Sequence, residues 1–152
     1  MAKFRFRLQK ILGLRLAAEK VAGQALATVN GQCQVLELAI VELMTRTQTS
    51  FLGRQSAGTH WSALRSFDLY AQRLALEIEA KEKALATKLV EREEKMAAYL
   101  EARKKVKTLE KLSERQLAEF SETQKHLEIL RLDDLNTAAF IRKMRPLEDA
   151  LG

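Results

Sequence analysis

Between residues 22 and 43, apolar side chains recur at alternating steps of four and three: Ala22, Leu26, Val29, Cys33, Leu36, Ile40 and Leu43. This is the heptad seam of helices wound about one another, and it commits the stretch to a long helix with one apolar stripe. Such a stripe must be covered by a second helix, and the chain carries one. A break at "LGRQSAGTHW" holds Gly53 and Gly58, either of which can take a left-handed turn, with Ser56 or Thr59 placed to cap a new helix. A second seam follows at once in Leu64, Phe67, Ala71, Leu74, Ile78, Lys81 and Leu85, then thins into Leu89, Met96, Tyr99, Leu100, Val106 and Leu109.

The expected fold is therefore all-α: an antiparallel two-helix coiled coil, a long helical hairpin with unequal arms. It forms one domain over residues 1–152, with arm one at about 4–53, a loop at about 54–59, arm two at about 60–141 and a flexible tail at about 142–152. Composition agrees, since a single Pro and six Gly in 152 residues leave little to interrupt helices. Half of the positions between 79 and 114 are charged, and Glu77/Lys81, Glu79/Lys83, Glu91/Lys95 and Glu101/Lys105 stand in the favourable i,i+4 order. Arm two is thus wet on most sides. Asp133 and Asp134 could cap a short terminal helix, and Pro146 marks a later break.

The opening "KFRFRLQKILGLR" mixes two periods. Charge and bulk alternate over residues 3–8, as in a half-buried extended segment, and a helical spacing follows. The helical period is expected to win for most of it, with Phe4 joining the seam four residues before Leu8 and Phe6 left off. Folding about the centre of the loop sets Leu36 near Ile78, Val29 near Leu85, Leu12 near Leu100 and Leu8 near Val106. At ~1.5 Å per residue arm two is longer by about 30 Å. Leu112, Leu117, Phe120, Leu127, Leu130 and Phe140 then lack cover from arm one, with on the order of 10 kcal/mol of burial unclaimed. Either this segment folds back or a partner covers it.

Several function classes drop out. His60 and His126 are far apart, no Cys/His/Asp cluster has metal-ligand spacing, and no Walker loop, dinucleotide fingerprint or nucleophile elbow is present. The expectation is a protein that is not an enzyme and takes no cofactor or metal. Cys33 is the single cysteine, reads as a small core residue and fits a reducing compartment. No apolar run approaches the ~20 residues of a membrane span, and Arg15 closes "ILGL" too early for a secretory signal. The formal net charge is +6, and the excess gathers at the start in Lys3, Arg5, Arg7, Lys10, Arg15 and Lys20 against Glu19, a contact for an acidic partner. Gly23 and Gly31 lie beside the seam, on the outer surface, and they and Gly13 are either tolerated weak points of a helix or places where another surface comes close. Trp61, Phe67, Ala71, Leu74 and Ile78, with Leu69 and Leu76 outside the seam, form an aromatic-led patch beside the loop that suits a binding hot spot.

Three stretches resemble one family. "FRFRLQKILGLR" is similar to the Phe-x-Phe-x-Leu opening of the FliJ family, coiled-coil components of flagellar type III export, met here at Phe4, Phe6, Leu8, Ile11 and Leu12. Trp61 followed by Phe67, Ala71, Leu74 and Ile78 resembles that family's stripe on the early second helix. "LEKLSERQLAEF" and "LDDLNTAAF" resemble its Lys-Leu-x-Glu-Arg segment and acidic-hydrophobic close. The resemblance implies an antiparallel coiled coil like the shaft of rotary ATPases, whose paired ends enter the hexameric export ATPase FliI and activate it. It also implies docking on the export gate protein FlhA and escort of export chaperones, in the cytoplasm at the inner membrane without insertion into it. Carried over by position, the ATPase-ring contact is Phe4, Phe6, Leu8, Ile11, Leu12, Leu112, Leu117 and Phe120, and the gate contact is Phe67, Ala71, Leu74 and Ile78. Ala71 departs from the pattern by offering little side chain.

Two other systems fit parts of the sequence. Injectisome stalk proteins share the architecture. A basic helical hairpin gripping structured RNA would use the runs at 103–107 and 142–145, although interleaved Glu and the lack of stacking aromatics speak against nucleic acid. A generic dimerising coiled coil is the third reading.

Overall fold

A computed structural model describes residues 2–152. Its elements are two helices, α1 (Gln9–Ser56) and α2 (Trp61–Leu151), packed antiparallel, with no strand among the described residues. This is the helical hairpin that the two seams require, with arms of 48 and 91 residues. The chain divides into two compact units, Arg15–Lys104 and a second made of Met1–Leu14 with Lys105–Gly152.

The unit Arg15–Lys104 holds the turn. α1 persists to Ser56, where the Ala57 N–H donates to the Gly53 carbonyl at 3.1 Å, and Gly58 then turns the chain at φ +66°. Only Gly58 takes the left-handed role; Gly53 stays helical because it has a different task. A Cβ built at Gly53 would lie 3.2 Å from the Phe67 ring, so the missing side chain lets Phe67 lie against α1. The expected caps are also displaced. The His60 carbonyl accepts the first bond of α2, from the Leu64 N–H at 3.0 Å, which puts His60 rather than Thr59 at the N-cap. Gly58→Ala should cost about 1 kcal/mol, the usual penalty for a Cβ in the left-handed region. Gly13→Ala, in helix interior with open space around the new methyl, should add about 0.5–1 kcal/mol. Paired urea melts of the two variants check the opposite signs.

The α1 seam is buried as its spacing requires: Leu26, Val29, Cys33, Ile40 and Leu43 are all in the core. The α2 side differs from the expected seam. Met96 and Leu100 face water, whereas Lys88, Arg92, Lys95 and Tyr99 take the half-buried positions that continue the heptad from Leu85. Long aliphatic stems can cover an apolar neighbour while the charge stays in solvent. Arg92 lines one groove with Cys33 and Asn30, and Lys95 lines another with Ala22 and Ala25. The Lys88 ammonium hydrogen-bonds Glu91 at 2.8 Å and holds that carboxyl below its usual range.

The register also differs. Leu36 shares a groove with Ala84 and Lys88, not with Ile78, so the pairing is displaced by about one heptad from folding about the loop centre. Moving a seam by seven residues returns apolar positions to apolar positions, so the stripes alone do not choose between registers. The later turn and the Gly53–Phe67 fit do. Arg54–Asp68 at 3.2 Å and Glu19–Arg103 at 3.5 Å cross between the helices in the same register. Both pairs are partly solvated and add specificity more than stability. Gly23, expected on the outer surface, is half-buried beneath the Tyr99 ring, 3.4 Å from where its Cβ would sit.

In the other unit α2 is continuous to Leu151. The Asp133–Asp134 cap does not form: the Thr137 hydroxyl donates to the Asp133 carbonyl at 2.8 Å, an intact helical turn. Pro146 lies inside the helix, whose exposure there lets water take up the carbonyl bond that the proline cannot make. The segment past Phe120 therefore does not fold back on itself, and Leu127, Leu130 and Phe140 stay exposed.

Candidate functional site

Two surfaces gather the residues singled out in the sequence, one in each unit. The first is built on the opening segment. Residues 2–6 are not helical, and α1 begins only at Gln9, whose N–H donates to the Phe6 carbonyl at 3.1 Å. Exposure alternates along this stretch: Phe4 half-buried, Arg5 exposed, Phe6 buried, Arg7 exposed, Leu8 half-buried. The period of an extended chain wins here, contrary to the helical expectation, and the reason is chemical. Two phenylalanines spaced two apart can both face α2 only if the backbone between them is extended, and the arginines then face water.

Phe6, at 8% exposure, forms a core with Leu12 and Val106, the last at 3%. Phe4, Leu8, Leu109 and Leu112 pack around it, and the Phe4 ring lies 5.7 Å from that of Phe120 at 49°. Tilted ring pairs at this separation contribute beyond their buried area. Phe6, left off the seam by helical counting, is thus a centre of the cluster. Of the eight residues placed by resemblance at the ATPase ring, Phe4, Phe6, Leu8, Leu12, Leu112 and Phe120 are gathered here. They hold the segment down. Ile11 and Leu117 remain exposed, with Lys3, Arg5, Arg7 and Lys10 around the opening segment.

The second surface lies beside the turn. Leu74 is 2% exposed and belongs to the hairpin core, Phe67 and Ile78 are half-buried, and Ala71 is exposed. The stripe expected at an export gate is therefore turned mostly toward α1. What stands outward is Trp61 at 78% exposure, with Leu69, Tyr70 and Leu76. Leu69 and Leu76 were legible from their place outside the seam. A shallow groove with Thr45, Thr49, Gly53, Phe67 and Tyr70 in its walls adjoins them.

Among the described residues no group of His, Cys, Asp and Glu is placed to hold a metal, and no buried side-chain polar atom lacks a hydrogen bond. No helix among them is long and apolar enough to cross a membrane. Apolar and basic surface on a helical scaffold is chemistry for binding other proteins.

These features define a helical-hairpin coiled-coil protein. The family model described as Flagellar FliJ protein matches residues 4–145, and the chain belongs to that family. The match takes in both surfaces. No curated protein and no solved structure matches the chain.

Proposed function

We propose that this chain is a non-catalytic stalk component of the flagellar type III export apparatus, which binds and activates the hexameric export ATPase and links it to the export gate. The observation that carries the reading is the clamped opening segment, within a family match that begins at Phe4. Phe4 and Phe6 fix a non-helical segment against α2, so its cations are held in place, not on a loose tail. A ring lumen lined with acidic and apolar groups would meet Arg5, Arg7 and Lys10 together with Ile11 and Leu117. A shaft without six-fold symmetry contacts some subunits more strongly than others, and it shifts their nucleotide states if the contacts differ between those states.

The surface beside the turn suits the export gate: Leu69, Tyr70, Ala71 and Leu76 are exposed there, and Phe67 and Ile78 are half-buried. Export chaperones are further partners in this reading. The protein works in the cytoplasm, peripheral to the inner membrane, as a single functional domain.

Ile11→Asp with Leu117→Asp tests the ring contact without touching the core of the cluster. The wild-type chain should raise the ATPase rate of its cognate export ATPase while hydrolysing nothing itself. The double variant should melt as wild type does and stimulate at least about tenfold less at equal concentration, a loss of ~1.4 kcal/mol or more of contact energy. Full stimulation by a folded double variant contradicts the assignment of that surface.

A further inference from the structure

A second stripe on α1, outside the seam that packs on α2, is left open by everything above. Ala17, Val21, Gln24, Thr28, Gly31, Val35 and Leu38 recur at steps of four and three, and all are exposed, Val21 at 65% and Val35 at 66%. In a chain that is 30% charged, no charged residue occurs between Lys20 and Glu37. The Thr28 hydroxyl is spent on the Gln24 carbonyl at 3.0 Å, which leaves its methyl to face outward. Nothing lies within 4 Å of the place where a Gly31 Cβ would be. Grooves between this stripe and α2 run along both Val21 and Val35, walled on the α2 side by Ala98 and Lys95 and by Ala84 and Lys88. A solvated helix face needs no such uncharged heptad.

We infer that this face is a self-complementary interface on which a second copy of the chain docks, α1 antiparallel to α1. The pattern of bulk is the first argument. In an antiparallel pair related by a two-fold axis, each contact occurs twice, and a residue of one copy meets its mirror position on the other. Centring the axis at Leu26 sets Val21 against the notch at Gly31, Val35 against Ala17, and Gln24 against Thr28. Large meets small at the two inner apolar pairs, which is the condition for close helix packing, and exposed Leu38 meets exposed Leu14 at each end. Gln24, the one polar side chain in the middle of the stripe, fixes this register over neighbouring ones.

Charge is the second argument. The same axis brings Arg15 of each copy beside Glu37 of the other, an opposite-sign pair at each end of the stripe. A parallel arrangement would instead set like against like. The net charge of +6 makes two copies repel over most of their surface, and this face is where that repulsion is least. The contact is at the small end of specific interfaces, so the dimer is reversible and weak.

Sedimentation of the full chain from low micromolar to several hundred micromolar tests the interface. A reversible monomer–dimer equilibrium is expected within that range. Gly31→Leu, which fills the notch, should weaken it at least about tenfold. Arg15→Glu alone and Glu37→Arg alone should each weaken it, and the two together should restore it. All three positions are exposed, so thermal melts no lower than that of the wild type confirm that each variant is folded. A monomer at every concentration overturns the inference and leaves the face to another molecule. A dimer indifferent to Gly31→Leu, or not rescued by the charge exchange, overturns the antiparallel register. The ATPase assay reads other residues, so failure here and failure of the stalk reading are separable.

Discussion

Phe6→Asp is expected to free the opening segment from α2 and to abolish stimulation of the export ATPase, while residues 15–104 keep their helicity. Phe6 is at the centre of the cluster with Leu12 and Val106. Burying a phenylalanine is worth ~1.5–3 kcal/mol, and a carboxylate in its place has no partner among these apolar side chains. The loss cannot exceed the free energy with which the segment docks, because residues 2–6 carry no helix whose melting would spread. Far-UV circular dichroism should therefore change little, whereas amide exchange around Gln9–Leu12 should quicken. Phe6→Leu keeps most of the apolar contact and should retain most of the stimulation. A Phe6→Asp chain that stimulates fully would remove the segment from the mechanism.

Leu74→Ala should lower stability more than any other single truncation on the α2 side of the unit Arg15–Lys104. Among the described residues of α2 in that unit, Leu74 alone is fully buried, and Lys88, Arg92 and Lys95 supply only stems further along. Large-to-small changes at such sites cost about 2–5 kcal/mol. For a unit of this size each kcal/mol lowers Tm by about 4–8 °C, so a fall of at least about 10 °C is expected in a thermal melt. Leu76→Ala, two residues on and exposed, should move Tm little. The contrast bears on the proposed gate contact as well. If both variants lose gate binding but only Leu74→Ala loses stability, the exposed residues carry the contact and Leu74 only holds the helix beneath them.

The two helices were legible because the seam of α1 is uninterrupted: Leu26, Val29, Cys33, Ile40 and Leu43 are buried where their spacing puts them. The register was not legible. A seven-residue shift maps one seam onto itself, and the place of the turn, at Gly58 and not Gly53, breaks the degeneracy together with the fit of Phe67 against Gly53. The middle of α2 misled for a related reason. Met96 and Leu100 look like seam residues by hydropathy, but the heptad phase set by Leu74 and Val106 gives the inner positions to Lys88, Arg92 and Lys95. Lysine and arginine stems count as polar in any hydropathy reading and still cover Ala22, Ala25 and Cys33 in space.

The opening segment held a readable signal that helical counting discarded. "KFRFR" alternates with period two, and that period alone explains why Phe4 and Phe6 are both covered while Arg5 and Arg7 are wet. The terminal part of α2 was the reverse case. Asp133, Asp134 and Pro146 all read as breaks, yet a helix already many turns long adds each further turn without a new nucleation cost.

The docking of the opening segment underlies the functional account, and ring-to-ring nuclear Overhauser effects in a chain with selectively labelled phenylalanine measure it directly. Centroids 5.7 Å apart predict cross-peaks between Phe4 and Phe120, lost in Phe6→Asp. Sequential contacts alone, with averaged chemical shifts at Phe4 and Phe6, would contradict it.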